Sequence, residues 1–241
     1  MLFEWNDRTI AWHLDASDYT GYAKNMAALL LEKISGRGSL CDIGCGMALV
    51  DFELSPYFQS VTCVDLNHNA LEFVRRRKDL LGTENLTVVH CDGEKLEGSW
   101  DTVIALFHGE IESNCENYLR KAKQQLVVVT HATPIGTTGP SAYRNVRCDH
   151  TDVFSLWLNA RGFVYERFDG ALDFGQPHRS FEDAVASTSV YCPTAPLDKI
   201  RENVRRTALE TGRSDFPLFT PKTRYFSVFV IPKAENQQLL S

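Results

Sequence analysis

Short apolar runs alternate along the chain with stretches whose apolar residues recur at helical spacing. This is the pattern of a largely parallel sheet with helices on both faces. Residues 19–34 carry Tyr22, Met26, Leu29, Leu30 and Ile34 on one helical stripe that stops at Gly36. Residues 39–43 predict the first strand, and 49–54 a short helix halted by Pro56. A strand at 60–64, a helix at 67–81 ending at Gly82 and a strand at 86–90 follow. The fourth strand is expected at 102–106, then a helix over 111–123 and a fifth strand at 125–130. Beyond these come a helix at 152–160 closed by Gly162, a strand at 163–168 and a final alternating strand at 225–231. Two helices, near 181–187 and 197–211, fit between the last two strands. Residues 174–179 read as a solvated loop, and 234–241 as a polar, unstructured tail.

Composition changes this picture little. With 241 residues, 44% hydrophobic and 23% charged, the chain suits one domain with a full core. No apolar run approaches the ~20 residues that span a bilayer, and the N-terminus has no basic segment leading into an apolar one. Seven cysteines, with Cys41, Cys63 and Cys91 in or beside expected strands, suggest buried thiols in a reducing compartment and a cytoplasmic protein. Cys41 and Cys45 have no second pair at zinc-site spacing, so no metal is expected. A net charge of −6 weighs against a nucleic-acid substrate. The one basic run, Arg75 to Lys78, reads as a solvated helix face.

The chemistry concentrates where the first strand ends, in Leu40-Cys41-Asp42-Ile43-Gly44-Cys45-Gly46-Met47-Ala48. Gly44 and Gly46 permit a tight turn and let a ligand approach the main chain, at the strand end where parallel sheets open a crevice. The dinucleotide fingerprint would require a third glycine at position 49, which is leucine. Asp42 can anchor the loop and face a cationic ligand. Asp65, closing the second strand, can accept hydrogen bonds from two ribose hydroxyls. Asp92, closing the third, can sit near an adenine amino group. Together they describe an adenosine site. A plain strand-to-helix turn, or helix N-caps at Asp65 and Asp92, would account for each feature singly.

Over residues 39–130 the sequence resembles the class I S-adenosylmethionine-dependent methyltransferases, with Ala48 where that family often has a third glycine. The resemblance implies a Rossmann-like, doubly wound sheet of seven strands with the last antiparallel. It also implies a helical N-terminal cover (1–36), a cofactor core (39–131), a substrate-side half (132–233) and a tail within a single domain. It further implies S-adenosylmethionine as cofactor, bound by Asp42, Gly44, Cys45, Gly46, Asp65, Leu66, Asp92, Gly93 and Leu106, with Tyr19 and Tyr22 from the cover.

Methyl transfer from a sulfonium is mostly alignment, with a base where the acceptor carries a proton. Candidates beyond the fourth and fifth strands are His108, Glu110 and His131, each with a structural role as the alternative. No Asn/Asp-Pro-Pro-Tyr/Phe follows the fourth strand, nor a Pro-Cys nucleophile. A small-molecule acceptor is therefore expected rather than nucleic acid. An NAD-dependent oxidoreductase and a non-catalytic, methyltransferase-like subunit serving a partner stand as rival readings.

Overall fold

The computed structural model describes residues 4–109, 111–132, 139–143 and 150–240. Its centre is a seven-stranded sheet. In chain order the strands are β1 (Ser39–Ile43), β2 (Ser60–Asp65), β3 (Leu86–His90), β4 (Trp100–Leu106), β5 (Ala122–His131), β6 (Glu166–Asp173) and β10 (Thr223–Pro232). Their spatial order is β3-β2-β1-β4-β5-β10-β6, and β10 runs antiparallel to both β5 and β6. The Rossmann-like sheet with an antiparallel last strand is thus as expected.

Side-chain alternation assigns each face. Leu40, Ile104, Val127, Val129, Phe226 and Val228 pack under α2 (Tyr22–Lys33), α3 (Leu49–Leu54) and α4 (His68–Leu81). Cys41, Val103, Ala105, Leu126, Val128 and Phe229 meet α5 (Ile111–Lys121) and α6 (His150–Ala160) on the other face. Asp42 therefore shares the α2–α3 face with Leu40, one strand position from the glycine turn. The order reverses at β1, whose neighbours are β2 and β4, and such a reversal opens a crevice at the strands' carboxyl ends.

The structure revises several expectations. The helix at 19–34 is two helices, α1 (Asp7–Thr20) and α2, divided at Gly21 with a left-handed φ of 68°. α1 starts with a reciprocal cap: the Asn6 side chain accepts from Thr9 N at 3.0 Å, while Thr9 Oγ1 accepts from Asn6 N at 2.9 Å. The strand expected at 163–168 begins at Glu166, because buried Phe163 belongs to the turn after α6 and Val164 is held by Asn236. The 174–179 loop contains β7 (Gln176–His178), which joins β9 (Leu218–Thr220) and β8 (Leu209–Glu210) in a small antiparallel sheet. Its backbone needs found partners in strands too short to show alternation.

The helix at 181–187 extends as α7 (Phe181–Tyr191), capped by Ser180. That at 197–211 ends as α8 (Leu197–Thr207), where Ala208 turns extended at φ −77° and ψ 132°. The C-terminal residues Ala234–Leu240 form a 3-10 segment rather than an unstructured tail. Buried Asn236 bonds Val164 and Pro232 there, and Leu239 and Leu240 pack on the core. Among the described residues no helix is long and apolar enough to cross a membrane.

Candidate functional site

The glycine turn is rigidly tied to the next strand. Gly44 N and Cys45 N both donate to Val64 O, at 2.7 and 3.0 Å. Gly44 and Gly46 have φ of 82° and 53°, where a side chain is disfavoured. Ala48 takes the same left-handed region at φ 52° as it opens α3, which explains why glycine often stands at this position in the family resembled. Asp65 fastens the turn from the side: Oδ2 accepts from Gly46 N and Oδ1 from Asn67 N, each at 2.7 Å. Asp65 is therefore not the cap of α4; that role falls to Asn67, which accepts from Ala70 N. Asp92 accepts from Glu94 N at 3.0 Å in a turn rather than at a helix start.

These pieces converge on one cavity of about 680 Å³, within the size range of small-molecule sites. Asp42, Gly44, Cys45, Gly46, Asp65, Leu66, Asp92, Gly93, Leu106 and Tyr22 all line it. Leu66 presents an exposed side chain at its mouth, and Gly93 lies against Ile43, where a Cβ would come within 2.2 Å of a methyl carbon. Tyr19 is the exception. Its ring stacks on Phe219 at 5.0 Å and meets Phe216 edge-on, so it buttresses the small sheet and is not part of the cavity wall.

Asp51, from the first turn of α3, was not anticipated. It faces Asp42 at the cavity floor, both are 1% exposed, and among the described residues no donor reaches Asp42 Oδ1 or either Asp51 oxygen. Burial and then the neighbouring Asp51 charge push Asp42 well above the usual carboxylate range, and burial pushes Asp51 up to about 6. An acid nine residues after Asp42, at the start of a short helix, was the available sign in the sequence.

At the far end the wall becomes aromatic and cationic. His108 packs its ring on Gly44; its Nδ1 lies 2.9 Å from Gly109 O and its Nε2 3.4 Å from the Tyr118 hydroxyl. His131 stacks on Phe107 at 4.5 Å. Phe107 has a left-handed φ of 53°, unusual for an aromatic residue and the kind of strain that concentrates at functional sites. Glu110 lies outside the described residues. His13 and Arg224 also line this end, Trp5 lines the cavity beside Gly46, and none of them was among the expected site residues. Burial, with the Arg224 and Lys222 charges nearby, pushes His13 down to about 3, so its imidazole is neutral.

Residues 40–127 match a family model described as a methyltransferase domain. No curated protein matches the chain by sequence. In fold it is similar to the YcgJ protein of Bacillus subtilis, at 16% identity and a TM-score of 0.56 over 85% of this chain and 97% of that one. It is also similar to a candidate RNA methyltransferase of Pyrococcus horikoshii, at 12% identity and TM-score 0.53 over 88% and 84% of the two chains. A third likeness is to magnesium protoporphyrin IX methyltransferase of Synechocystis with bound S-adenosylhomocysteine, at 15% identity and TM-score 0.51 over 94% and 88%. The matched segment spans β1 through most of β5, the half of the sheet that builds the glycine turn and the strand-end acids. Over residues 40–127, about a third of the chain, the sequence is that of a methyltransferase domain, and the whole chain shares its fold with solved methyltransferases.

Proposed function

We propose that this protein binds S-adenosylmethionine in the β1–β4 crevice and transfers its methyl group to a small-molecule acceptor. The observation that carries the reading is the convergence of one glycine turn and the acids of three successive strands on a single cavity. The residues fit the cofactor. At Gly46 a Cβ would meet only the Trp5 ring, at 3.5 Å, so the main chain there is open to a ligand, while at Gly44 the His108 ring takes that space. Asp65 still has lone pairs for ribose hydroxyls after its two backbone bonds, and Asp92 lines the adenine side. The Asp42–Asp51 pair, short of donors, suits the ammonium of the methionine portion.

When bound, the cofactor supplies an electrophilic methyl on a sulfonium. This chain's contribution is to hold that methyl and the acceptor in line and to exclude water. Phe107 and His131 form a flat wall beyond β4 and β5, where an acceptor would lie. His108, beside Gly44, is placed either to take an acceptor proton or to set the shape of the turn. The relatives in fold include proteins named for RNA and for a porphyrin, so fold does not choose between acceptor classes. The acidic net charge and the ring-lined far end favour a small molecule over a phosphate backbone.

The acceptor class is tested by supplying methyl-labelled S-adenosylmethionine with two fractions of a cell extract, metabolites and RNA. The label should enter the metabolite fraction. Incorporation into RNA alone would contradict the small-molecule reading.

A further inference from the structure

β10 runs antiparallel to β5, so its first residues lie at the carboxyl edge of the sheet, beside the end of β5. Phe226 pairs with His131, and Arg224, two residues earlier, projects to the same face. The Arg224 guanidinium sits 4.0 Å from the Phe174 ring centre and 5.0 Å from those of Tyr22 and Phe107. Its Nη1 donates to the Tyr22 hydroxyl at 3.2 Å. Among the described residues it makes no ion pair, although it lines the cavity.

A guanidinium confined by three rings has lost part of its hydration and keeps several N–H groups in a fixed planar fork. Nearby His13 is neutral and adds no second positive charge. The acids of the cavity lie instead around β1, β2 and β3, across β4 and β5 from Arg224. The cavity is thus divided by charge. Its acidic end suits a cationic sulfonium ligand, and its far end presents one oriented cation on an aromatic wall.

Resting on the methyltransferase reading above, we infer that the acceptor carries a carboxylate on a flat, ring-bearing body, and that Arg224 is its specificity-determining contact. A bidentate carboxylate would complete the guanidinium's hydrogen bonds while the attached ring lies against Phe107 and Phe174. The cofactor's own carboxylate is the other source of the same chemistry, and the test separates the two.

Benzoate and its neutral isostere benzamide serve as probes, titrated by NMR into the protein alone and into the protein saturated with S-adenosylhomocysteine. The expected result is benzoate binding at least tenfold tighter than benzamide in both states. Arg224→Gln should abolish that preference while leaving S-adenosylhomocysteine affinity within about twofold. Arg224→Lys, which keeps a charge at the site, should retain a weaker preference for benzoate and guards against a folding defect in the first variant. Equal binding of the two probes to the parent protein would overturn the inference. So would a tenfold loss of S-adenosylhomocysteine affinity in Arg224→Gln, because the guanidinium would then hold the cofactor. If the parent protein fails to bind S-adenosylhomocysteine, the cofactor reading falls, and the titrations without it still decide whether Arg224 selects a carboxylate.

Discussion

Two buried carboxyl groups at the floor of a cavity set a measurable pH dependence. Asp42 and Asp51 hold protons more tightly in the folded chain than in the unfolded one. The stability they contribute is therefore fully present below the ordinary carboxylate pKa near 4 and is lost as pH rises through about 6. Asp51→Asn should raise the melting temperature by several degrees at pH 8 and change it much less at pH 4.5, as scanning calorimetry would show. Cation binding removes the same proton, so S-adenosylhomocysteine affinity should strengthen as pH rises from about 5 to 7, and Asp51→Asn should flatten that rise. Asp65→Ala removes the tie to Gly46 and, on the proposed cofactor reading, the acceptor for the ribose hydroxyls. At about 1.5–3 kcal/mol for a charge-assisted bond, S-adenosylhomocysteine should bind at least tenfold more weakly by isothermal calorimetry. Unchanged affinity in a folded variant would place the ribose elsewhere.

At this scale the sequence was legible where chemistry sits at strand ends. Asp42, Asp65 and Asp92 follow apolar runs, and their meeting is dictated by parallel topology. Arg224 and His13 were not legible, because an arginine before a strand and a histidine in a helix have no local pattern that marks a cavity wall. Tyr19 misled for a related reason: it and Tyr22 lie on opposite sides of the break at Gly21, so only Tyr22 turns inward.

Among the elements, the β1 turn has the least tolerance. Gly44→Ala forces a side chain into a left-handed conformation and sets its Cβ 2.4 Å from His108 Cδ2. The conformational part costs about 1–3 kcal/mol, and the collision adds to it. The melting temperature should drop by several degrees and S-adenosylhomocysteine binding should weaken. Combining Gly44→Ala with His108→Ala should recover the collision but not the conformational cost. If the double variant melts no higher than Gly44→Ala, His108 does not rest on the turn as described.

The elements read best from sequence were those buried on both faces, whose apolar runs are continuous, and the amphipathic helices between them. Periodicity did not place α1, because its buried stripe mixes polar Thr9 and Ser17 with Ile10, Trp12 and Ala16. The small sheet escaped because two or three residues cannot display a period of two.

Across the whole molecule, the small sheet, α7 and α8 attach to the Rossmann-like half through α1. Trp12 Nε1 donates to Asp183 at 2.8 Å, Gln176 donates to Trp12 O at 3.0 Å, and Arg179 pairs with Asp15. His178 lies at the centre of this cover, with Nε2 2.9 Å from Thr220 Oγ1, and burial pushes it down to about 4. A depressed histidine stabilises fully above its unfolded value near 6.5, and that contribution is lost as pH falls through about 4. Hydrogen-exchange free energies over 176–191 should decline across that window, and His178→Gln should remove the dependence. A cover whose protection holds to pH 4 would show that folded His178 takes up its proton near the ordinary histidine value and is not depressed.

Calorimetric titration of the purified protein with S-adenosylhomocysteine and, separately, with NAD at equal concentration addresses the central claim. The structure predicts stoichiometric binding of the sulfur nucleotide, lost or weakened at least tenfold in Asp65→Ala, and no heat from NAD. Binding of NAD with none of S-adenosylhomocysteine would contradict the account.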